Sequence, residues 1–272
     1  MRGAGRARGG AAGLVVAVLV VLVLGVAAAF LVARLLRREV VVTTARPSAG
    51  ATSSASPRAT TSAGPASAGV GEPIGFEGCP SDGDGGDRAL NRLKNRGPGG
   101  TPRDVPFDSL LALGWPDGVA ERSRSRWPVG AAARVAPLER LLVRTEGYVA
   151  RARLSGPEST NCHGEDARRR DYHVWIVGAP GTDRRQSVIA EMTPRYRAEH
   201  PSWTVARLGT LSRAGELVRV TGWLLLDQEH PEQIGRTRGT IWEIHPVTAF
   251  EVRRGSRWVP LDSARDARRE RR

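Results

Sequence analysis

The sequence predicts a mainly β domain with one packed helix, an OB-like five-stranded barrel, preceded by a transmembrane helix and a disordered stalk. Three observations predict it. Apolar segments of strand length recur from Leu141 to Val252 in the order long bent strand, hairpin, helix, strand, strand, which is the order of a partly open Greek-key barrel. An uncharged run of mostly Leu, Val and Ala fills Gly9 to Ala33, enough for the ~20 residues a helix needs to cross a bilayer core. Between them lies a stretch of Ala, Ser, Thr and Pro that has too little apolar surface to offset its ordering entropy. A generic antiparallel sheet with a packed helix is the competing architecture.

Residues 1–8 are a basic tail and 9–36 the expected span. Arg2, Arg6 and Arg8 precede the apolar run and Arg34, Arg37 and Arg38 end it, so the positive-inside rule is nearly balanced. The alternative is a signal peptide cleaved near Ala29, since Ala27-Ala28-Ala29 supplies small residues. Against cleavage, the run continues through Phe30 to Ala33, beyond the ~7 to 15 residues of a signal h-region. Either reading exports the rest of the chain. The expected address is the cell membrane, single-pass, with lipid contacting residues 9–36 and the C-terminal domain extracytoplasmic; the alternative is secretion.

Residues 37–77 form the expected stalk, and 78–137 an irregular packing segment with a short helix. Asp87 is placed to cap that helix, which carries Leu90 and Leu93 and stops at Gly97-Pro98. Asp82, Asp84 and Asp87 miss the EF-hand spacing. Phe107, Leu110, Leu111, Leu113, Trp115 and Trp127 are the expected packing residues.

The barrel is expected over 138–252. Leu141 to Leu154 is a strand with a bend at Gly147, and Asp171–Val177 with Gln186–Met192 forms a hairpin. Pro194 to Arg213 reads as helical, most clearly from Pro201, with Val205, Leu208 and Leu211 on one face. Leu217 to Asp227 is the fourth strand, and Thr240 to Val252 the fifth, broken at Pro246. Glycines recur in Glu146-Gly147-Tyr148-Val149 and Thr221-Gly222-Trp223-Leu224, where coiled strands need them. Residues 253–272 are a basic tail, expected to be solvated or to lie at the membrane surface.

The chain carries a formal charge of +13, almost wholly arginine, with Lys94 its single lysine. That skew reflects a GC-rich codon bias as readily as a binding feature, yet it still attracts anionic partners.

The blocks GDGGDRALNRLKNR (83–96), GPESTNCH (156–163), DYHVW (171–175), EMTPR (191–195), VTGWLLLDQEHPEQ (220–233) and WEIHPV (242–247) resemble an uncharacterised family of bacterial membrane-anchored or exported proteins. The resemblance covers 78–252 and implies no particular activity.

Strand alternation puts Asp171, His173 and Trp175 on one face, and Ile241, Glu243 and His245 on another. Glu191 ends the third strand, and His163 and His230 lie in the two loops that such barrels use for ligands. The ligand-binding candidates are therefore His163, Asp171, His173, Glu191, His230, Glu243 and His245. No HExxH or CxxC spacing, nucleophile elbow, P-loop or dinucleotide fingerprint is present. No catalytic residue, metal or cofactor is assigned on that basis, and strand histidines ordinarily anchor loops. Cys79 and Cys162, the two cysteines, suit a disulfide in an oxidising compartment, or Cys162-His163 a metal pair.

The expected function is a membrane-tethered extracytoplasmic binding or structural module, more readily than an enzyme. One alternative is a metal-assisted hydrolase with His173, Glu191, Glu243 and His245 on the barrel rim. The other is a polyanion binder of cell-wall polymer or nucleic acid; cell-envelope anions or another envelope protein are the expected partners ahead of nucleic acid, because Tyr172 and Trp175 face opposite sides and only one can stack a base.

Overall fold

The structure, a computed structural model, describes residues 71–119 and 123–264. The expected span at 9–36, the stalk up to residue 70 and the arginines from Arg265 onward lie outside the described residues. No helix among the described residues is long and apolar enough to cross a membrane.

Seven strands form one mixed sheet: β1 (Arg103–Asp104), β2 (Leu142–Leu154), β3 (Tyr172–Val177), β4 (Val188–Met192), β5 (Leu217–Leu226), β6 (Trp242–Arg254) and β7 (Arg257–Pro260). β2 pairs antiparallel with β3, β3 with β4, and β5 with β6, while β4 and β6 run parallel. β2 also pairs with β5, which closes five strands into a barrel compatible with the expected OB-like class. The parallel β4–β6 pair sets it apart from a purely antiparallel sheet. β1 adds to β2, and β7 folds back on β6 across Gly255.

Alternation fills the barrel. Val143, Val174, Ile176, Ala190, Val220, Leu224, Ile244 and Phe250 point into one core cluster, and their strand neighbours point outward. Gly147 and Gly222 sit where strands approach too closely for a side chain. A Cβ on Gly147 would lie 2.7 Å from Ile176, and one on Gly222 would collide with the Pro246 carbonyl. β6 runs unbroken through Pro246, contrary to the expected break, and its register against β5 shifts beside Gly222. The His245-Pro246 peptide is cis.

The helices are α1 (Arg88–Lys94), α2 (Phe107–Leu111), α3 (Val129–Glu139), α4 (Pro194–Arg197) and α5 (Val205–Ala214). Asp87 caps α1 by accepting from the Ala89 and Leu90 amides. Its inward face is Leu90, Asn91 and Lys94 rather than Leu90 and Leu93. The single helix expected from Pro194 to Arg213 is two helices with a turn between. The second begins at Val205 rather than at Pro201; Thr204 caps it, accepting from the Arg207 amide at 3.1 Å, and Gly215 in the left-handed region ends it. Its Leu208 and Leu211 enter the barrel core. α3 lies inside the segment expected to be irregular; its alanines and Pro137 obscure the helical period, but Ala131 and Val135 are buried. Phe107, Leu110, Leu111, Leu113, Trp115 and Trp127 all pack on the core.

Two boundaries move. Pro73 and Ile74, expected in the stalk, pair with Arg96 and Asn95. Part of the expected C-terminal tail is sheet, where Arg219 and Arg253 stack on Trp258.

Candidate functional site

The register builds the site. His173 on β3 stands opposite Glu191 on β4, and Ile189 two residues earlier pairs with Glu243 on β6. Because Val174, Ala190 and Ile244 face the core, His173, Glu191, Glu243 and His245 share the outer face of the sheet. This corrects the expected rim location: the side chains lie against the barrel wall beneath a cover.

The cover is the segment 71–98 with the β2–β3 loop. A disulfide joins Cys79 to Cys162 with Cα atoms 5.8 Å apart. Arg195 donates to the Ile74 carbonyl (2.8 Å) and to Asn161 Oδ1 (2.6 Å), and Asn95 donates to the Thr160 carbonyl (3.1 Å). Arg96 reaches the backbone carbonyls of Glu139, Leu224 (3.1 Å) and His245 (3.4 Å), and the Trp223 indole donates to the Gly97 carbonyl (3.1 Å). Under this cover Asp171 and His245 are 0% exposed, Glu243 1% and Glu191 4%.

Five of the seven candidates therefore meet: Asp171, His173, Glu191, Glu243 and His245. The other two do not. His163 sits on an exposed loop with Nε2 3.0 Å from the Asp84 carbonyl, and His230 is half-exposed beside Glu232. Sequence reasoning missed Glu158, Lys94, Asp227 and Arg238, which complete the network. Lys94 lies 3.5 Å from Glu158 and 3.4 Å from Glu229, and Arg238 bridges Asp227 (3.0 Å) and Glu243 (2.7 Å). A lone lysine in an arginine-rich chain was the available signal.

His173 Nε2 is 3.0 Å from Glu191 and 3.8 Å from Glu158; His245 Nδ1 is 3.3 Å from Glu191 and 3.5 Å from Glu243. Burial alone would strip charge from all these groups. Instead, burial is outweighed at Lys94 by Glu158 and Asp227, and at His173 by Glu191 and Glu158, so both stay cationic well above their ordinary ranges. Burial raises Glu158, but Lys94 and His173 bring it down to about 2; burial likewise opposes Arg238 and His245 at Glu243, which falls far below the usual carboxylate range. Two carboxyls are exceptions: Asp227, which burial and Glu243 raise to about 6, and Asp171. Burial, then Glu158 and Glu191, push its carboxyl up to about 7, with only weaker help from His245 and Asn161.

A second polar region is open to solvent. Arg153 at the end of β2 and Arg184 after β3 lie over the Trp175 ring, 5.4 and 5.8 Å from its centroid. The Trp175 indole donates to the Thr237 carbonyl at 2.7 Å, tying the ring to the β5–β6 loop. With Glu232, Gln233 and Arg236 these residues line a cleft of about 290 Å³. Among the described residues no carboxylate forms an ion pair with Arg153, Arg184 or Arg236. Tyr172, on the opposite face, packs on the core and carries Arg197 over its ring.

No known relative decides between the two regions. No protein-family model, no curated protein and no solved structure matches the chain. The choice rests on accessibility. The His/carboxylate cluster is sealed, whereas the Trp175 cleft presents free cations to solvent.

Proposed function

We propose that the chain is a membrane-tethered, extracytoplasmic OB-like binding module whose ligand is an anionic polymer of the cell envelope, held in the Trp175 cleft. One observation carries this: Arg153 and Arg184 lie over the Trp175 ring, Arg236 lines the same cleft, and none of the three has an acidic ion-pair partner among the described residues. The cleft draws on the second barrel strand and the loop between the fourth and fifth, the region OB-like barrels use for extended polymers. A guanidinium fork matches phosphate oxygens, and the net charge of +13 favours encounter with any polyanion. Another cavity, of about 480 Å³, is lined by Leu93, Ala136 and Trp223, and its Arg96 is committed to backbone carbonyls.

The tether and the kinship with bacterial membrane-anchored or exported proteins rest on the apolar run at 9–36 and the sequence blocks. The disulfide suits that address, since such bonds persist outside the reducing cytoplasm. The hydrolase alternative has its histidines and carboxylates assembled, but the cover leaves His245 and Asp171 no contact with solvent.

The test is binding of poly(glycerol phosphate) by the full-length chain in detergent. Wild type should bind, and R153A/R184A/R236A should lose at least tenfold in affinity. Equal binding by the two would remove the cleft from the account. Equally tight binding of a single-stranded oligonucleotide would replace the envelope polymer by polyanions in general.

A further inference from the structure

The buried cluster has a property that the anion cleft does not explain. In Asp171 both carboxylate oxygens lack a hydrogen bond of acceptable geometry, as do Glu191 Oε2 and both ring nitrogens of His245. Buried polar groups are almost always satisfied by protein, water or an ion, because leaving them bare is costly. Five such atoms lie on three side chains no more than 4% exposed. One donor atom from each of the three residues can be chosen so that all lie within 4.8 Å of one another.

We propose that Asp171, Glu191 and His245 form a binding site for one divalent transition-metal ion that ties β4 and β6 to the loop entering β3. Metal–ligand bonds of about 2.0–2.2 Å at tetrahedral angles separate donor atoms by roughly 3.3–3.6 Å. His245 Nδ1 and Glu191 Oε2 are 3.3 Å apart, and Glu243 Oε2, 3.5 Å from the same nitrogen, is within reach of a fourth position. An imidazole among carboxylates suits zinc, manganese or iron, whereas calcium and magnesium take oxygen alone.

The nearest cations are His173, 3.0 Å from Glu191, and Arg195, whose hydrogen bonds go to neutral acceptors while its charge bears on Asp171. Lys94 pairs with Glu158 and Glu229, and Arg238 with Asp227 and Glu243. A dication would take its charge balance from Asp171 and Glu191 and bind His245 as the neutral imidazole. The neighbouring trio Glu158, His173 and Glu191 is also compact, but Lys94 sits 3.5 Å from its Glu158, and Glu158 and His173 are only partly buried. Burial makes the ion structural rather than catalytic, sealed in by the disulfide-held cover.

The full-length chain, stripped with chelator and incubated with zinc or cobalt, should retain one ion per chain by elemental analysis. D171N and H245Q should retain less than a tenth of an ion, while E158Q and H163A/H230A should retain one. Circular dichroism confirms that each variant is folded. Should D171N and H245Q fail to fold, X-ray absorption of the cobalt-loaded wild type decides, with one imidazole in the first coordination sphere expected. A wild type that binds no ion, folded D171N and H245Q that keep it, loss of the ion in E158Q, or two or no imidazoles on cobalt would each overturn the site.

Discussion

His173 Nε2 lies 3.0 Å from the carboxylate of Glu191, its direct partner across the β3–β4 register. Glu191 turns its other oxygen to His245, so one carboxylate contacts two buried imidazoles on different strands. Removing one member of a buried ionic set leaves the others uncompensated and typically costs about 3–5 kcal/mol. E191A is expected to lose roughly that much in denaturant unfolding, and H230A, at the half-exposed histidine, less than about 0.5 kcal/mol.

The disulfide closes a loop of 83 residues between the cover and the barrel. On the chain-entropy account such a loop contributes about 4 kcal/mol. C79S/C162S should unfold at correspondingly lower denaturant, and reductant should shift wild type in the same direction without affecting the variant. Alkylation before and after reduction should show two thiols released by reductant alone.

Asp227 supplies the pH test. Burial and the Glu243 charge raise its carboxyl to about 6, against Lys94 and Arg238. With the ordinary value at 3.8, the folded state holds this proton more tightly than the unfolded state between about pH 4 and 6. Stability from this group is full below that window and is lost as pH rises through it, by up to about 1.4 kcal/mol per pH unit. The stability of D227N relative to wild type should therefore climb from pH 4 to 6 and level off above. Unfolding midpoints of both proteins across that range are the measurement.

The proposed address makes a separate prediction. Protease added to intact cells, with any outer barrier removed, should digest the barrel while a cytoplasmic protein in the same sample survives, and the chain should sediment with membranes.

The barrel was legible because its strands alternate apolar and polar residues, and Gly147 and Gly222 mark the close approaches. Period 2 also put His173 and Glu243 on outward faces. What it does not carry is the register that sets His173 beside Glu191, or the cover that buries them. Both depend on contacts far apart in sequence, such as Lys94 with Glu229 and Arg96 with the Leu224 carbonyl. Pro137 hides α3, and the expected single helix from Pro194 to Arg213 misses the turn that separates α4 from the Thr204 cap of α5. β1 and β7, of two and four residues, are too short to show a period.

The salt dependence of poly(glycerol phosphate) binding by the full-length chain tests the central claim most directly. Each phosphate neutralised by an arginine adds roughly 0.7–0.9 to the slope of log affinity against log salt. Wild type should give a steep slope and R153A/R184A/R236A one shallower by about two to three; superimposable slopes would contradict the account.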